Sequence, residues 1–492
     1  MDTKQSKTKL FLRRLLINWD FFVLGFLILA YIFILVTLSI KRHDAFASRF
    51  DLSNMDQTLW YTLHGHFFQL RNPDELMSRF SIHADLILVL LSPLYLIWDD
   101  VRMLIASESV FLALGAIPVY LLSLKLLKNK IISLVIAAVY LLNPGMQWTD
   151  IYDFHGVSLA IPFILYAFYF AYIKRWIWYG VFVLLALLTK ENISLIIAML
   201  GIAVFFVFKK KWIGLATFII GIVWFFTMVN VVMPYFTPSG KHWALEGVSD
   251  VGDDPLFSVI KKQMDLNTFL RTFVFNKEAQ EYYILLLKPY AFLPLIGLPW
   301  ILISAPEFAI NILRGTTMIV FHYDSGIIPG LVLGTIFGMY YVQWIITHFR
   351  FTKKYTTIVM YVVAALLLTA ALRVNYHYSP LPTTPSCSCY IYNVTREDRE
   401  FEKVLQSIPK DASITASLEI RPHVSHRFHA YTVPSATESA QFIALITQNR
   451  LISNYDPKEY ENKLIPILLK SKNHKLRYKS EHFYLFEKLN FK

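Results

Sequence analysis

Apolar residues in this chain are grouped in long blocks, without the regular alternation of polar and apolar positions that marks a half-buried helix or strand. Such blocks predict bilayer-spanning helices, which need about 20 apolar residues when upright. We therefore predict a polytopic α-helical membrane protein with about eleven spans, in a range of about 9 to 13. The predicted spans are Phe21–Ile40, Met103–Leu124, Ile131–Met146, Val157–Ile173, Trp176–Leu188, Ile193–Phe208, Trp212–Met233, Tyr283–Ile296, Pro299–Leu313, Ile327–Ile346 and Thr357–Leu372.

For two apolar segments, the sequence allows an alternative to a membrane span. We predict that Asp85–Trp98 is re-entrant or interfacial, because counting it as a span would reverse the side of every later loop. A signal peptide is the alternative for Phe21–Ile40, since Ala45-Phe46-Ala47 resembles a cleavage site. The block exceeds the about 7 to 15 residues of a signal core, and Lys41–Asp44 separates it from those alanines. An uncleaved first helix is therefore predicted.

The placement of charges predicts the orientation. Lys and Arg accumulate in the cytoplasmic loops of membrane proteins. With the predicted spans, the basic loops fall on the N-terminal side and contain no acid; they are Lys125–Lys130, Lys174–Arg175, Lys209–Lys211 and Arg350–Lys354. Most loop acids fall on the opposite side. The sequence thus predicts a plasma-membrane protein with a cytoplasmic N-terminus and an extracytoplasmic C-terminal domain.

The composition supports a membrane protein and argues against nucleic-acid binding. Hydrophobic residues make up 55% of the chain, charged residues 17%, and the mean hydropathy is +0.46, whereas soluble proteins carry about 25% charge. The net charge of +12 comes from short loops, with no basic stripe interleaved with aromatic residues. Cys387 and Cys389 are separated by one serine, which indicates two incidental thiols or a local strained bridge.

The domain organisation follows from the spans and from a change in composition after Leu372. The predicted parts are a cytoplasmic N-terminus (1–20), a membrane domain (21–373) with outer loops 41–83 and 234–281, a proline-rich linker (374–393) and a small α/β domain (394–492). In the last domain, helices and strands alternate. They are predicted as helices Arg396–Ile408 and Pro457–Lys470 and strands Ala412–Ser417, Arg427–Val433, Phe442–Thr447 and Tyr484–Lys488.

The densest polar sequence lies just after the first span and contains Asp51 and Asp56. On a helix, this five-residue spacing puts the two acids on neighbouring faces. One carboxylate can then face a cleft while the other makes structural hydrogen bonds. The structural alternative is a helix N-cap, at Asp51 or Ser53, with one solvated acid.

Further polar islands interrupt apolar sequence on the same predicted side, and ionisable groups at membrane depth are candidate functional residues. The candidates are His83, Asp153, His155, Lys190, Glu191, His322 and Tyr323. A turn with a snorkelling lysine is the structural alternative for Lys190-Glu191, and single histidines are more often structural. No metal signature is present, so we predict neither a metal nor another cofactor; a divalent metal stays an alternative, with Asp253-Asp254 as a weak candidate.

Several short motifs together resemble a family of prokaryotic membrane proteins known as a domain of unknown function, number 2079. They cover nearly the whole chain, in the order Phe50-Asp51-Leu52, Asp56-Gln57, Leu59-Trp60, Ser81-Ile82-His83, Ser92-Pro93-Leu94-Tyr95, Asp153-Phe154-His155, Lys190-Glu191-Asn192, His322-Tyr323 with Pro329, Arg421-Pro422-His423 and Arg427. That family is similar to the GT-C glycosyltransferases, which take a sugar from a polyprenyl-phosphate carrier.

The resemblance implies a GT-C-like fold and a membrane glycosyltransferase. It also implies an aspartate in the first outer loop as general base, which corresponds to Asp51 with Asp56 second; Leu52 stands where many GT-C enzymes have another acid. Lys190, His83 and His155 are then the groups for the donor phosphate. The implied partners are a polyprenyl-phosphate sugar and membrane lipids, with the acceptor undefined. The alternatives are a lipid or solute transporter (flippase) and a non-catalytic membrane scaffold.

Overall fold

The computed structural model describes residues 18–71, 75–239, 261–349, 353–385, 387–450 and 458–489. Residues 1–17 of the predicted N-terminus, Arg350, and residues 240–260 of the second outer loop, including Asp253-Asp254, lie outside the described residues. The α-helices are Trp19–Asp44, Phe50–Leu63, Ile87–Leu91, Val101–Leu114, Ala116–Leu127, Lys130–Leu141, Pro144–Ile151, Ala160–Tyr172, Trp176–Leu187, Ile193–Phe206, Lys211–Thr227, Met233–Phe236, Leu266–Phe269, Lys277–Leu287, Leu293–Ile296, Leu298–Ile301, Ala305–Arg314, Ile328–His348, Thr356–Tyr378, Arg396–Gln406 and Glu459–Lys470.

The long apolar helices confirm the kind of element that the sequence predicts, but not the number of spans. Within the described residues, helices at Trp19–Asp44, Val101–Leu127, Lys211–Phe236, Ile328–His348 and Lys353–Tyr378 are long and apolar enough to cross a bilayer. A sixth span is formed if Lys130–Leu141 and Pro144–Ile151, which meet at a 45° bend, are counted together. Four apolar helices are shorter: Ile87–Leu96, Gly156–Tyr172, Trp176–Leu187 and Ile193–Phe206.

Two of the predicted spans are not continuous helices. In place of Tyr283–Ile296, the helix Lys277–Leu287 ends at a 3₁₀ turn, Lys288–Tyr290, and a short helix follows. In place of Pro299–Leu313, a further short helix leads into Ala305–Arg314. Prolines at 289, 294 and 299 remove backbone donors and interrupt the helix in each case.

Close packing of two of the apolar helices depends on glycine. Ile193–Phe206 lies against Lys211–Thr227 along most of its length. A Cβ placed on Gly201 would lie 2.5 Å from the backbone nitrogen of Phe218 and 2.8 Å from the carbonyl oxygen of Gly214. The absence of side chains at these positions allows the two backbones to approach each other, as in other membrane helix pairs.

The C-terminal domain is a five-stranded mixed sheet with two helices. The described residues contain seven strands, β1 Gln69–Arg71, β2 Leu76–Ser78, β3 Ile414–Ala416, β4 Ala430–Thr432, β5 Phe442–Ile446, β6 His474–Lys479 and β7 Phe483–Lys488. The order in the C-terminal sheet is β4-β3-β5-β7-β6; β3 is parallel to β4 and β5, and β7 is antiparallel to β5 and β6. Four strands and both helices were predicted; β6 and the β1–β2 hairpin were not. Cys387 and Cys389 form a disulfide.

The first outer loop is part of the core of this C-terminal domain. Phe46 is fully buried and packs against Phe401, Phe483 and His423 of the domain. The Arg450 guanidinium also donates to the carbonyl oxygen of Ala45, at 3.1 Å. The domain is therefore fixed directly against the loop that carries Asp51 and Asp56.

Candidate active site

The helix Phe50–Leu63, here called the outer helix, has two polar faces with different surroundings. Asp51, Asn54 and Met55 line a cavity on one side. Asp56, five residues after Asp51, is completely buried on another face, where it meets the C-terminal domain. The separation of the two acids that their spacing predicts is confirmed, and the N-cap alternative is wrong, because Arg49 is the N-cap residue and makes no side-chain cap.

The Asp51 cavity has a volume of about 230 Å³ and brings together polar residues from distant parts of the chain. Six of the nine site residues predicted from sequence line it, namely Asp51, His83, His155, Lys190, His322 and Tyr323. Five residues that were not predicted complete the lining, namely Asn54, Met55, Arg79, Ile82 and Arg314. The other three predicted residues do not line the cavity but form hydrogen bonds or ion pairs with neighbouring groups; they are Asp56, Asp153 and Glu191.

Asp51 and Lys190 supply opposite charges to the same cavity. In the described part of the chain, neither side chain forms a hydrogen bond or an ion pair with another protein group. Both residues are only partly buried. A carboxylate and an ammonium group are thus both available to a bound molecule.

Two arginines extend the positive side of the cavity. Arg79 is almost fully buried and is held by Asp85, with its Nη2 2.8 Å and its Nε 3.1 Å from the carboxylate oxygens. This pairing fixes the direction of the guanidinium, which also donates to the sulfur of Met55, at 3.2 Å. Arg314 ends the helix Ala305–Arg314 and borders the same cavity.

Glu191 holds His83 from outside the cavity. Its Oε1 is 2.9 Å from His83 Nδ1, and its Oε2 accepts from the backbone N–H of Ala84 at 3.1 Å. Burial opposes the ionisation of Glu191, but His83 and then Lys190 hold the pKa of Glu191 below its ordinary value. Burial and Lys190 lower the pKa of His83, against the raising effect of Glu191. Glu191 is therefore a negative group that orients His83.

Two stacked histidines form another wall of the cavity. The rings of His155 and His322 are stacked, with their centroids 3.6 Å apart and their planes inclined by 21°. Burial lowers the pKa of His155 to about 4, against the raising effect of Asp51. Burial and then the neighbouring His155 hold the pKa of His322 well below its ordinary value. Both rings are therefore neutral at neutral pH and act as hydrogen-bonding groups instead of cations.

Asp153 supports the loop that carries His155. Its carboxylate forms a buried ion pair with Arg42, at 2.7 Å, and accepts from the backbone N–H of Arg49, at 3.0 Å. Burial raises the pKa of Asp153 to about 6, against the lowering effect of Arg42. Asp153 thus ties the end of the first span to the start of the outer helix, two residues before Asp51.

Asp56 connects the outer helix to the C-terminal domain. Its carboxylate accepts from Tyr95 and Ser425, and His426 Nε2 lies 2.8 Å from its Oδ1. The other ring nitrogen of His426 is 2.8 Å from Asp99. Burial disfavours the charged ring, yet Asp56 and Asp99 raise the pKa of His426 to about 10. The imidazolium is thus held between two carboxylates.

Other contacts on the Asp56 face of the outer helix also hold this helix against the C-terminal domain. Arg421, which is completely buried, donates to Gln57 at 3.1 Å, and Tyr61 donates to the carbonyl oxygen of Phe428 at 2.6 Å. The C-terminal domain therefore sets the position of the helix that carries Asp51.

The residues that sequence reasoning missed had weak local signals. Arg79 lies two residues before the Ser81-Ile82-His83 motif, and its position beside a noted motif was the available clue. Arg314 lies next to a predicted span, where it reads as an ordinary flanking charge. His426 lies between the noted positions Arg421–His423 and Arg427, and only the docking of the domain reveals its partner Asp56. Within the described ranges, no group of three or more His, Cys, Asp or Glu side chains is arranged to hold a metal ion.

Comparison with solved structures defines the class of fold. The fold is similar to that of ArnT from Cupriavidus metallidurans, whose crystal structure was determined bound to undecaprenyl phosphate; the TM-score is 0.51, the identity is 10%, and the alignment covers 94% of this chain and 97% of that one. A second similarity is to the oligosaccharyltransferase of Archaeoglobus fulgidus, in complex with Zn and sulfate, with a TM-score of 0.40, 13% identity and coverage of 94% and 73%. ArnT is a GT-C glycosyltransferase, so the chain has a GT-C-like fold.

The particular family is defined by the sequence. Residues 42–482 match the predicted membrane proteins of DUF2079, and the chain belongs to this family. A comparison with curated proteins found no match. The resemblance inferred from the short motifs is therefore confirmed, both for the family and for its GT-C-like fold.

Proposed function

We propose that this protein is a membrane glycosyltransferase that moves a sugar from a polyprenyl-phosphate donor to an acceptor on the extracytoplasmic face. The observation that supports the proposal most directly is the Asp51 cavity, which contains an unpaired carboxylate together with Lys190, Arg79 and Arg314. Glycosyl transfer from a lipid phosphate needs this combination, a base for the acceptor and cations for the leaving phosphate. The undecaprenyl phosphate bound to ArnT is a ligand of the required class.

Asp51 has the role of general base. Its carboxylate takes the proton from the acceptor group as the new bond to the anomeric carbon forms, while the bond from that carbon to the phosphate oxygen breaks. The outer helix holds Asp51 at the cavity, and the C-terminal domain fixes this helix through Asp56, Gln57 and Tyr61. Asp56 is therefore proposed as a positioning residue, not as a second base.

Lys190 and the two arginines have the role of phosphate ligands. The phosphate carries more negative charge once the sugar has left, so cations that are already in place stabilise the transition state more than the ground state. His83 and the stacked pair His155 and His322 supply neutral hydrogen-bonding groups beside these cations. The cavity volume of about 230 Å³ suits a phosphate and part of one sugar, with the lipid chain in the membrane.

The test separates chemistry from binding with two variants of the full-length protein. D51N should lower sugar transfer by about 10²–10⁴-fold, the usual contribution of a general base, and should leave the binding of undecaprenyl phosphate unchanged. K190Q should weaken that binding by about tenfold, because it removes one charge-assisted hydrogen bond. Transfer is measured with radiolabelled polyprenyl-phosphate monosaccharides in proteoliposomes, and lipid binding by native mass spectrometry.

The matched control is D265N, which removes an exposed carboxylate outside the cavity. It should leave transfer and binding unchanged. Wild-type transfer by D51N would show that Asp51 is not the base. Undiminished lipid binding by K190Q would show that the phosphate is held elsewhere.

A further inference from the structure

A groove of about 580 Å³ lies at the end of the last long helix and shares no lining residue with the Asp51 cavity. Its lining residues are Lys288, Ala370, Arg373, Val374, His377 and Tyr378. Five of them follow the spacing i, i+3, i+4, i+7, i+8 on the helix Thr356–Tyr378, so they form one continuous stripe. The sixth, Lys288, begins the 3₁₀ turn Lys288–Tyr290, which packs against this helix.

The groove lies at the level expected for lipid headgroups. Arg373 is five residues before the helix ends at Tyr378, which places it about 7.5 Å from that end. Tyr376 and Tyr378 are 52% and 40% exposed, as expected for aromatic residues at a membrane–water interface. Trp148, from the helix that leads to the Asp51 cavity, donates to the carbonyl oxygen of Tyr378, at 2.7 Å. The groove and the cavity are therefore at the same end of the helix bundle.

The groove carries positive charge, and none of the described residues that line it is acidic. Lys288 and Arg373 are both exposed, and among the described residues neither side chain has a hydrogen-bond or ion-pair partner. Lys and Arg are usually concentrated at the cytoplasmic end of membrane helices, whereas these two lie at the end that carries the C-terminal domain. An uncompensated pair of cations at this level attracts a phosphate group, and phosphate is the common anion of membrane lipids.

The helix stripe also supplies an apolar surface next to the charges. Ala370 and Val374 flank Arg373 on the same face. Ala370 lies about one helical turn nearer the middle of the bilayer than Arg373, and Leu366, a further turn away on the same face, is 61% exposed. The apolar surface therefore continues from the charged level into the membrane. A molecule with a phosphate at one end and a hydrocarbon chain at the other fits this order of residues.

We infer that this groove binds the phosphate headgroup of an anionic membrane lipid, with Lys288 and Arg373 as its ligands and the hydrocarbon chain along Ala370 and Leu366. The inference is independent of the proposed transferase activity, because the site is separate from the Asp51 cavity and its test measures lipid retention without turnover.

The test uses the purified full-length protein and native mass spectrometry, with phosphatidylglycerol as the anionic probe and phosphatidylcholine as the zwitterionic one. The wild-type protein should retain one phosphatidylglycerol about tenfold more tightly than phosphatidylcholine, and K288Q/R373Q should lose this preference. The matched control K470Q/K472Q removes two exposed lysines from the C-terminal domain and should keep it. Because all four replaced residues are on the surface, the variants should fold. The single variants K288Q and R373Q should each lose part of the preference for phosphatidylglycerol.

Two further measurements distinguish other sources of binding. Inorganic phosphate at millimolar concentration should not displace the lipid; if it does, the groove is a site for free phosphate and the inference is wrong. K190Q tests whether the lipid is bound in the Asp51 cavity instead. If K190Q loses the lipid while K288Q/R373Q keeps it, the lipid is bound in the Asp51 cavity and the groove is not a lipid site.

Discussion

The contact between Asp56 and His426 gives the sharpest prediction about how the C-terminal domain is held. The pKa of His426 is about 10 in the folded protein, compared with an ordinary value of about 6.5. At about 1.4 kcal/mol per pH unit, the difference corresponds to about 5 kcal/mol of stabilisation of the charged ring. Asp56, which is completely buried, is the larger contributor, whereas the side chain of Asp99 is 45% exposed.

Replacing Asp56 by Asn should therefore destabilise docking much more than replacing Asp99. D56N leaves the His426 imidazolium buried without its main partner, which costs about 3–5 kcal/mol. D99N removes a solvent-screened partner of the same ring and should cost about 1 kcal/mol or less. The variant D99N is thus a matched control, since each of the two changes removes one carboxylate partner of the same residue, His426.

The pH dependence has a definite sign. Because the pKa of His426 is raised by folding, its contribution is complete below about pH 6.5 and is lost as the pH rises through about 10. Between these values the wild-type protein should lose stability, and D56N should lose much less. Thermal unfolding followed by tryptophan fluorescence measures the stability. Proteinase K cleavage at residues 379–385, which follow the helix that ends at Tyr378, measures release of the domain. Equal effects of D56N and D99N, or an unchanged pH dependence in D56N, would refute the reasoning.

Two other predictions concern the helix bundle and the cavity wall. G201A should destabilise the protein by about 1–3 kcal/mol in thermal unfolding, because the new methyl group would meet the backbone at Phe218. The control G180A, where a Cβ has no neighbour within 4 Å, should be neutral in the same assay. Similar effects of both variants would contradict the packing argument. Since folding lowers the pKa of His155 to about 4, the unfolded chain takes up that proton first, and stability should fall by up to about 3 kcal/mol as the pH drops from about 6.5 to about 4. H155Q should reduce this slope in thermal unfolding at a series of pH values, and an unaltered slope would show that His155 does not titrate in this range.

The membrane class and the outline of the C-terminal domain are readable in the sequence for simple physical reasons. A helix that crosses lipid must be apolar along its whole length, so Phe21–Ile40 and Thr357–Leu372 are visible as uninterrupted blocks. A short strand with β-branched residues, such as Phe442–Ile446, is equally local. The prolines near residues 289–299 were visible too, but their effect on helix continuity depends on neighbouring helices, which is why two predicted spans are interrupted helices in the structure.

The candidate site also has a part that the sequence predicts and a part that only the tertiary structure determines. The five-residue spacing of Asp51 and Asp56 requires two different faces of one helix, because the helical repeat is about 3.6 residues, and no other information is needed. Which face meets the cavity is decided by tertiary structure alone, through contacts such as that between Asp56 and His426, which are 370 residues apart in the chain. The same holds for Arg79 and Arg314, whose roles depend on where distant segments pack. A sequence pattern records the local preference of each residue for lipid, helix or strand, whereas the partner of a buried charge is set by the packing of the whole chain.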